Sequence, residues 1–152
     1  MPLKPQKYEI LKSRIIEIAG TTVGQATGDI TFLGGETSTT AGKVYVLTED
    51  EGGAWVQADA NVSGKYEGLL AIALSNQSGK GMLLRGAINI ADTVDNAGDP
   101  LYLSTTAGAI TDTKPTAAGS VVRILGYGLD GNGGSGGNTI YFCPDNTYVE
   151  VQ

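Results

Sequence analysis

Short runs of β-branched and aliphatic residues, each stopped by glycine, proline or asparagine, recur from Gly20 to the end of the chain and leave room for little but strands. Asp29-Ile30-Thr31-Phe32-Leu33 is stopped by Gly34-Gly35, and Lys43 to Thr48 by the acidic turn Glu49-Asp50-Glu51-Gly52-Gly53. Ala54 to Ala58 follows. The longer runs Gly68 to Ser75 and Met82 to Ile90 are joined by Asn76-Gln77-Ser78-Gly79-Lys80-Gly81, a polar loop of hairpin type. Leu101 to Ser104, Ala109 to Thr113, Val121 to Leu129, Thr139 to Cys143 and Tyr148 to Val151 continue the rhythm. Glycine supplies 23 of the 152 residues, and tight turns between strands need the positive φ that glycine adopts freely. No segment carries a capped amphipathic helix. The expectation is an all-β fold, a small β-sandwich or β-barrel, with an irregular connection over the Thr/Ala/Gly-rich stretch Thr113 to Gly119.

The rhythm occurs twice. Ala41-Gly42, Val46-Leu47-Thr48, Gly53-Ala54 and the run from Gly68 to Leu74 are matched by Ala97-Gly98, Tyr102-Leu103-Ser104, Gly108-Ala109 and the run from Arg123 to Leu129. The matched positions lie about 55 residues apart, within the range of structural repeats. The shared residues are mostly Gly, Ala and Leu, which a low-complexity background also produces. The expected organisation is an N-terminal arm over residues 1–20, a first β unit over 21–95 and a second over 96–152, the two units forming one compact body.

Residues 1–20 differ from the rest. Lys4, Lys7, Lys12 and Arg14 lie there, interleaved with Tyr8, Ile10, Leu11, Ile15, Ile16 and Ile18. Helical and strand periodicities each fit part of this segment, and the β-branched run Ile15-Ile16-Glu17-Ile18 favours an extended arm. A net charge of -6, from 16 acidic and 10 basic residues, argues against nucleic acid as a partner, because phosphate affinity needs a basic face. No run approaches the roughly 20 apolar residues of a membrane span, and Met1-Pro2-Leu3-Lys4-Pro5 lacks a signal-peptide core. The expectation is synthesis in the cytoplasm and no membrane partner.

Reactive chemistry is poorly provided for. The chain has no histidine, which removes the commonest general base and metal ligand and any Ser-His-Asp triad. Cys143 is the single cysteine, set in Ile140-Tyr141-Phe142-Cys143, and reads as a small buried hydrophobe. Gly79-Lys80 is followed by Gly81 and lacks the upstream glycine of a phosphate-binding loop. Asp130-Gly131-Asn132-Gly133 lacks the later oxygen ligands of a calcium loop, and Glu49-Asp50-Glu51 reads as a solvated turn. Glu36, Asp59 and Glu67 are available as spatially paired carboxylates, with no motif that makes them so. Trp55 reads as a core or interface anchor before it reads as a sugar platform. The expectations are no enzyme activity, no cofactor and no metal.

The runs Leu69 to Leu74 and Val121 to Leu125 are almost continuously apolar, as in strands buried on both faces. The second face is covered either by another subunit or by the rest of a monomeric sandwich.

Gly98-Asp99-Pro100-Leu101-Tyr102-Leu103-Ser104, Pro115 to Gly119, Val122-Arg123-Ile124-Leu125-Gly126-Tyr127 and Thr139-Ile140-Tyr141-Phe142 together resemble the β module of tailed-phage virion proteins. The chain is similar, over residues 40 to 152 and best from 96 onward, to small capsid decoration proteins and head-fibre proteins. The resemblance implies a structural protein of the virion surface that binds the major capsid protein as a homotrimer. It carries over no catalytic residue. Residues 1–20 match no attachment form of that family. Apolar burial and strand addition assign the capsid or subunit contact to Tyr8, Ile10, Leu11, Ile15, Ile16 and Ile18. The alternative is a head- or tail-fibre module that binds host-surface carbohydrate or receptor through aromatic side chains such as Trp55, Tyr66 or Tyr127.

Overall fold

The computed structural model describes residues 21–49, 53–94, 97–129 and 137–152. The arm, the middle of the acidic turn, the expected boundary at residues 95 and 96, and most of the glycine-rich loop after Leu129 lie outside the described residues.

The strands are β1 (Ala26–Thr31), β2 (Val44–Leu47), β3 (Trp55–Gln57), β4 (Leu70–Ala73), β5 (Met82–Val94), β6 (Pro100–Leu103), β7 (Ile110–Thr111), β8 (Val121–Val122), β9 (Ile124–Gly128), β10 (Gly137–Phe142) and β11 (Val149–Glu150). One antiparallel sheet runs β3-β2-β4-β5-β10-β9-β6-β7, with β1 beside β5, and curls strongly into a half-barrel. β8 and β11 form a separate pair. Among the described residues the only helical turn is a 3-10 turn at Ser78–Lys80, inside the expected hairpin loop.

The sheet consists of two similar β units. β2 pairs with β3 and β4, and β4 with β5; in the same way β6 pairs with β7 and β9, and β9 with β10. Registers correspond as well: Val46 faces Val56 as Tyr102 faces Thr111, and Tyr45 faces Ala71 as Leu101 faces Gly126. Gly42 donates to Ala73 O and Ala73 to Lys43 O; their counterparts Gly98 and Gly128 donate to Gly128 O and Asp99 O. The turn that Thr48 closes on Ala54 O is repeated where Ser104 closes on Ala109 O. A backbone register of this kind is fixed by which face each side chain must bury, so matched patterns give matched ladders.

The curl has a local cause. Gly28 faces Gly86, Gly86 faces Phe142, and Phe142 faces Gly126, so glycines flank a fully buried phenylalanine in one row across the sheet. Gly86 and Gly126 hold φ of 144° and 150°, and a Cβ there would fall on the carbonyl oxygens of Thr27 and Tyr141. Glycine kinks of this sort bend a sheet.

The bend wraps both units around one core. Val44, Val46, Leu70, Ile72 and Leu83 meet Ile88, Ile90, Leu101, Leu103, Leu125, Ile140 and Phe142. Burial of this area is the main stabilising contribution, at about 25 cal/mol per Å² of apolar surface. A second cluster, Tyr45, Trp55, Ala71, Ala73 and Met82, covers the opposite face of β2 and β4. The segment after β1 lies over it: Trp55 Nε1 donates to Leu33 O at 2.8 Å, and Tyr45 Oη accepts from Thr40 N at 2.8 Å. The apolar run of β4 is therefore buried on both faces by its own chain, and it gives no argument for a second subunit.

The first strand lies upstream of its expected position. β1 is set by its ladder to β5, from Ala26 opposite Ile88 to Thr31 opposite Met82, and then the chain turns away towards Trp55. Phe32 and Leu33, expected inside the strand, are 66% and 75% exposed.

Candidate functional site

The residues expected to contact a capsid or a subunit, Tyr8, Ile10, Leu11, Ile15, Ile16 and Ile18, all lie outside the described residues. What the described body offers next to them is β1. Among the described strands it pairs with β5. Gly28, Asp29 and Ile30 are exposed along it, and the exposed apolar side chains of Phe32 and Leu33 follow where the chain turns away.

A second feature lies where the sheet divides. β4 pairs with β5 only at Met82 and Leu83, whereas β10 joins β5 from Gly86 onward. Leu84 and Arg85 stand between, beside a bulge in the β1 ladder at Asp29 and Ile30. The fork holds a pocket of about 240 Å³ lined by Gly68, Leu69, Leu70, Leu84, Arg85, Arg123, Cys143, Pro144 and Asn146.

Arg123 ties the fork together. It is 2% exposed, at the break between β8 and β9. Its Nε donates to Asp145 O at 2.7 Å, Nη1 to Tyr66 O at 2.7 Å and Nη2 to Gly68 O at 3.0 Å. The segment leading into β4 and the segment leaving β10 are thus held by one guanidinium. Backbone carbonyls, not a carboxylate ion pair, satisfy it, and burial lowers its pKa. Arginine remains charged nonetheless, because a guanidinium does not give up its proton in a protein. The sequence signal was a charged residue inside the apolar run Val121-Val122-Arg123-Ile124-Leu125, which marks a buried arginine with partners.

Arg85 is the exposed counterpart. Its Nε donates to Tyr141 Oη at 3.3 Å, and this contact, with the Tyr141 charge, raises its pKa. Cys143 is half-buried, not fully buried as the sequence suggests. Desolvation pushes its thiol up, and Arg85 opposes that only in part. Desolvation thus disfavours the thiolate that a nucleophile needs.

The aromatic side chains expected of a sugar-binding module do not gather. Trp55 is 1% exposed, in the second core cluster, where its reading as a core anchor puts it and not on the surface as the alternative fibre module requires. Tyr66 packs edge-on to Tyr148 at 5.1 Å, and Tyr127 lies opposite Tyr141 in the sheet. A separate hollow of about 290 Å³ is lined by Ser104, Thr105, Thr111, Thr113, Lys114, Pro115, Thr116 and Ala117, with no ring on its walls. Among the described residues no group of three or more Cys, Asp or Glu side chains is placed to hold a metal, and no helix is long and apolar enough to cross a membrane. No protein-family model, curated protein or solved structure matches this chain.

Proposed function

We propose that the protein is a structural component of a tailed-phage virion, which decorates the capsid exterior by binding the major capsid protein and acts by binding, not by turnover. The observation that carries this reading is the exposed apolar pair Phe32 and Leu33, which directly follows β1, the first strand of the described body. An arm that adds a strand to a neighbour gains backbone hydrogen bonds without special side chains. The contact residues in this reading are Tyr8, Ile10, Leu11, Ile15, Ile16 and Ile18 of the arm, with Phe32 and Leu33 of the body. Assembly as a homotrimer belongs to the same proposal. It rests on the family resemblance, because β4 is covered from within.

Deletion of residues 1–18 tests the arm. The truncated protein should keep the near-ultraviolet circular dichroism of the full chain and fail to sediment with shells of the major capsid protein. Undiminished sedimentation of the folded truncation would remove the arm from the account. Burial of Trp55 counts against the rival reading, a fibre module for host carbohydrate. Binding on a glycan array, lost on substitution in the hydroxyl-lined hollow, would restore that rival.

A further inference from the structure

We infer that the fork between β4 and β10 is a recognition pocket for one acidic residue of a partner peptide, with Arg85 as the carboxylate contact and Arg123 as the fixed floor. The inference goes beyond the arm-based reading and concerns a different surface.

Charge is the first argument. The chain carries a net charge of -6, yet the pocket walls include two guanidinium groups, while Asp29 and Asp145, which act on Arg85 and Arg123 from nearby, lie outside the lining. A carboxylate and a guanidinium match in geometry as well as in charge, because the planar fork of donors meets both oxygens. Arg85 is exposed, and Nε is the atom that bonds Tyr141, which leaves its Nη groups to a ligand. The neighbouring thiol is kept protonated by burial and does not repel an anion.

Shape and rigidity are the second. Leu69, Leu70, Leu84 and Pro144 supply apolar walls, and Leu69 is 49% exposed at the fork. At about 240 Å³ the space lies below the ~300–1,000 Å³ of pockets for drug-sized ligands. It suits one side chain and the edge of its neighbour. Asn146 adds an amide that can donate to the carboxylate or accept from the peptide backbone. The three hydrogen bonds of Arg123 hold both walls before any ligand arrives, which lowers the ordering cost of binding.

Cys143 provides the readout, as the chain's single cysteine and part of the pocket wall. The full-length protein is alkylated with iodoacetamide in the presence of the capped peptide acetyl-Leu-Glu-Leu-amide, its Gln counterpart, or sodium phosphate. The Glu peptide should slow alkylation saturably, by about threefold when its concentration is twice its Kd, which for so small a contact is on the order of 1 mM. The Gln peptide should leave the rate near that of free protein. In Arg85→Ala the ratio of rates with and without the Glu peptide should fall to about one. Amide shifts of Leu69 and Leu84 on titration give an independent measure of the same binding. Equal protection by both peptides would replace the charge recognition with an apolar groove. Equal protection by phosphate would reduce the fork to a general anion site. Either result, no protection at all, or full protection in Arg85→Ala overturns the inference. Loss of peptide binding leaves capsid sedimentation through the arm untouched, so the two readings fail separately.

Discussion

Arg123 Nη2 donates to the carbonyl oxygen of Gly68 at 3.0 Å, and these two residues occupy matching positions in the two β units. The duplicated pattern thus meets itself at one buried contact, where the first unit contributes only backbone and the second a guanidinium. Arg123→Ala removes three charge-assisted bonds and leaves the carbonyls of Tyr66, Gly68 and Asp145 without that partner. The expected loss of stability is about 3–5 kcal/mol, read from urea unfolding. A loss under about 1 kcal/mol would show that water replaces the guanidinium and that Arg123 does not fasten the fork.

The glycine row predicts a graded result. Gly126→Ala sets a Cβ against the Tyr141 carbonyl at a φ of 150°, and Gly86→Ala does the same against Thr27. Each should cost about 2 kcal/mol or more, because backbone on the neighbouring strand must move. Gly53→Ala also sits at positive φ, but nothing lies within 4 Å of its Cβ, and about 1 kcal/mol is expected. Equal losses at Gly126 and Gly53 would mean that the row does not set the curl.

Trp55 has both a packing and a polar role. Trp55→Phe should cost about 1–2 kcal/mol, from the lost bond to Leu33 O and reduced volume, and Trp55→Ala about 3–5 kcal/mol. Native fluorescence should be blue-shifted and poorly quenched by iodide, since Trp55 is the single tryptophan and is 1% exposed. Efficient quenching would place the ring at the surface and revive the platform reading.

Cys143 links stability to pH. Its folded pKa is raised by desolvation, so the folded state favours the protonated thiol. Below the unfolded value, about 8.5, both states hold the proton and the residue adds no pH dependence. As pH rises through and beyond that value, the unfolded chain ionises first and stability falls. Cys143→Ser should flatten the difference in unfolding free energy between pH 8 and pH 10. An unchanged slope in the variant would assign the loss to other groups.

Much of this fold was legible in the sequence, for reasons visible at particular residues. Runs such as Val44 to Leu47 and Leu70 to Ala73 alternate or persist according to the faces they bury, and the matched turns at Gly42 and Gly98 announced the duplicated ladder. The curl was not legible, because Gly28, Gly86 and Gly126 become a row only once the strands pair. The fork was hidden for the same reason: Arg85 and Arg123 are far apart in sequence, and only the division of β4 from β10 along β5 brings them to one pocket. Trp55 was legible as an anchor, but not its cover, since the segment around Leu33 reads as strand until the β1 register is known.

The central claim is attachment to a capsid shell, and saturation binding tests it most directly. Full-length protein is titrated onto purified shells of the proposed partner, a tailed-phage major capsid protein, and bound protein is quantified after sedimentation. The account predicts saturation at a fixed ratio to the capsid subunit, with no further uptake beyond it. Protein that stays in the supernatant at every concentration, or uptake that never saturates, would contradict a decorating role.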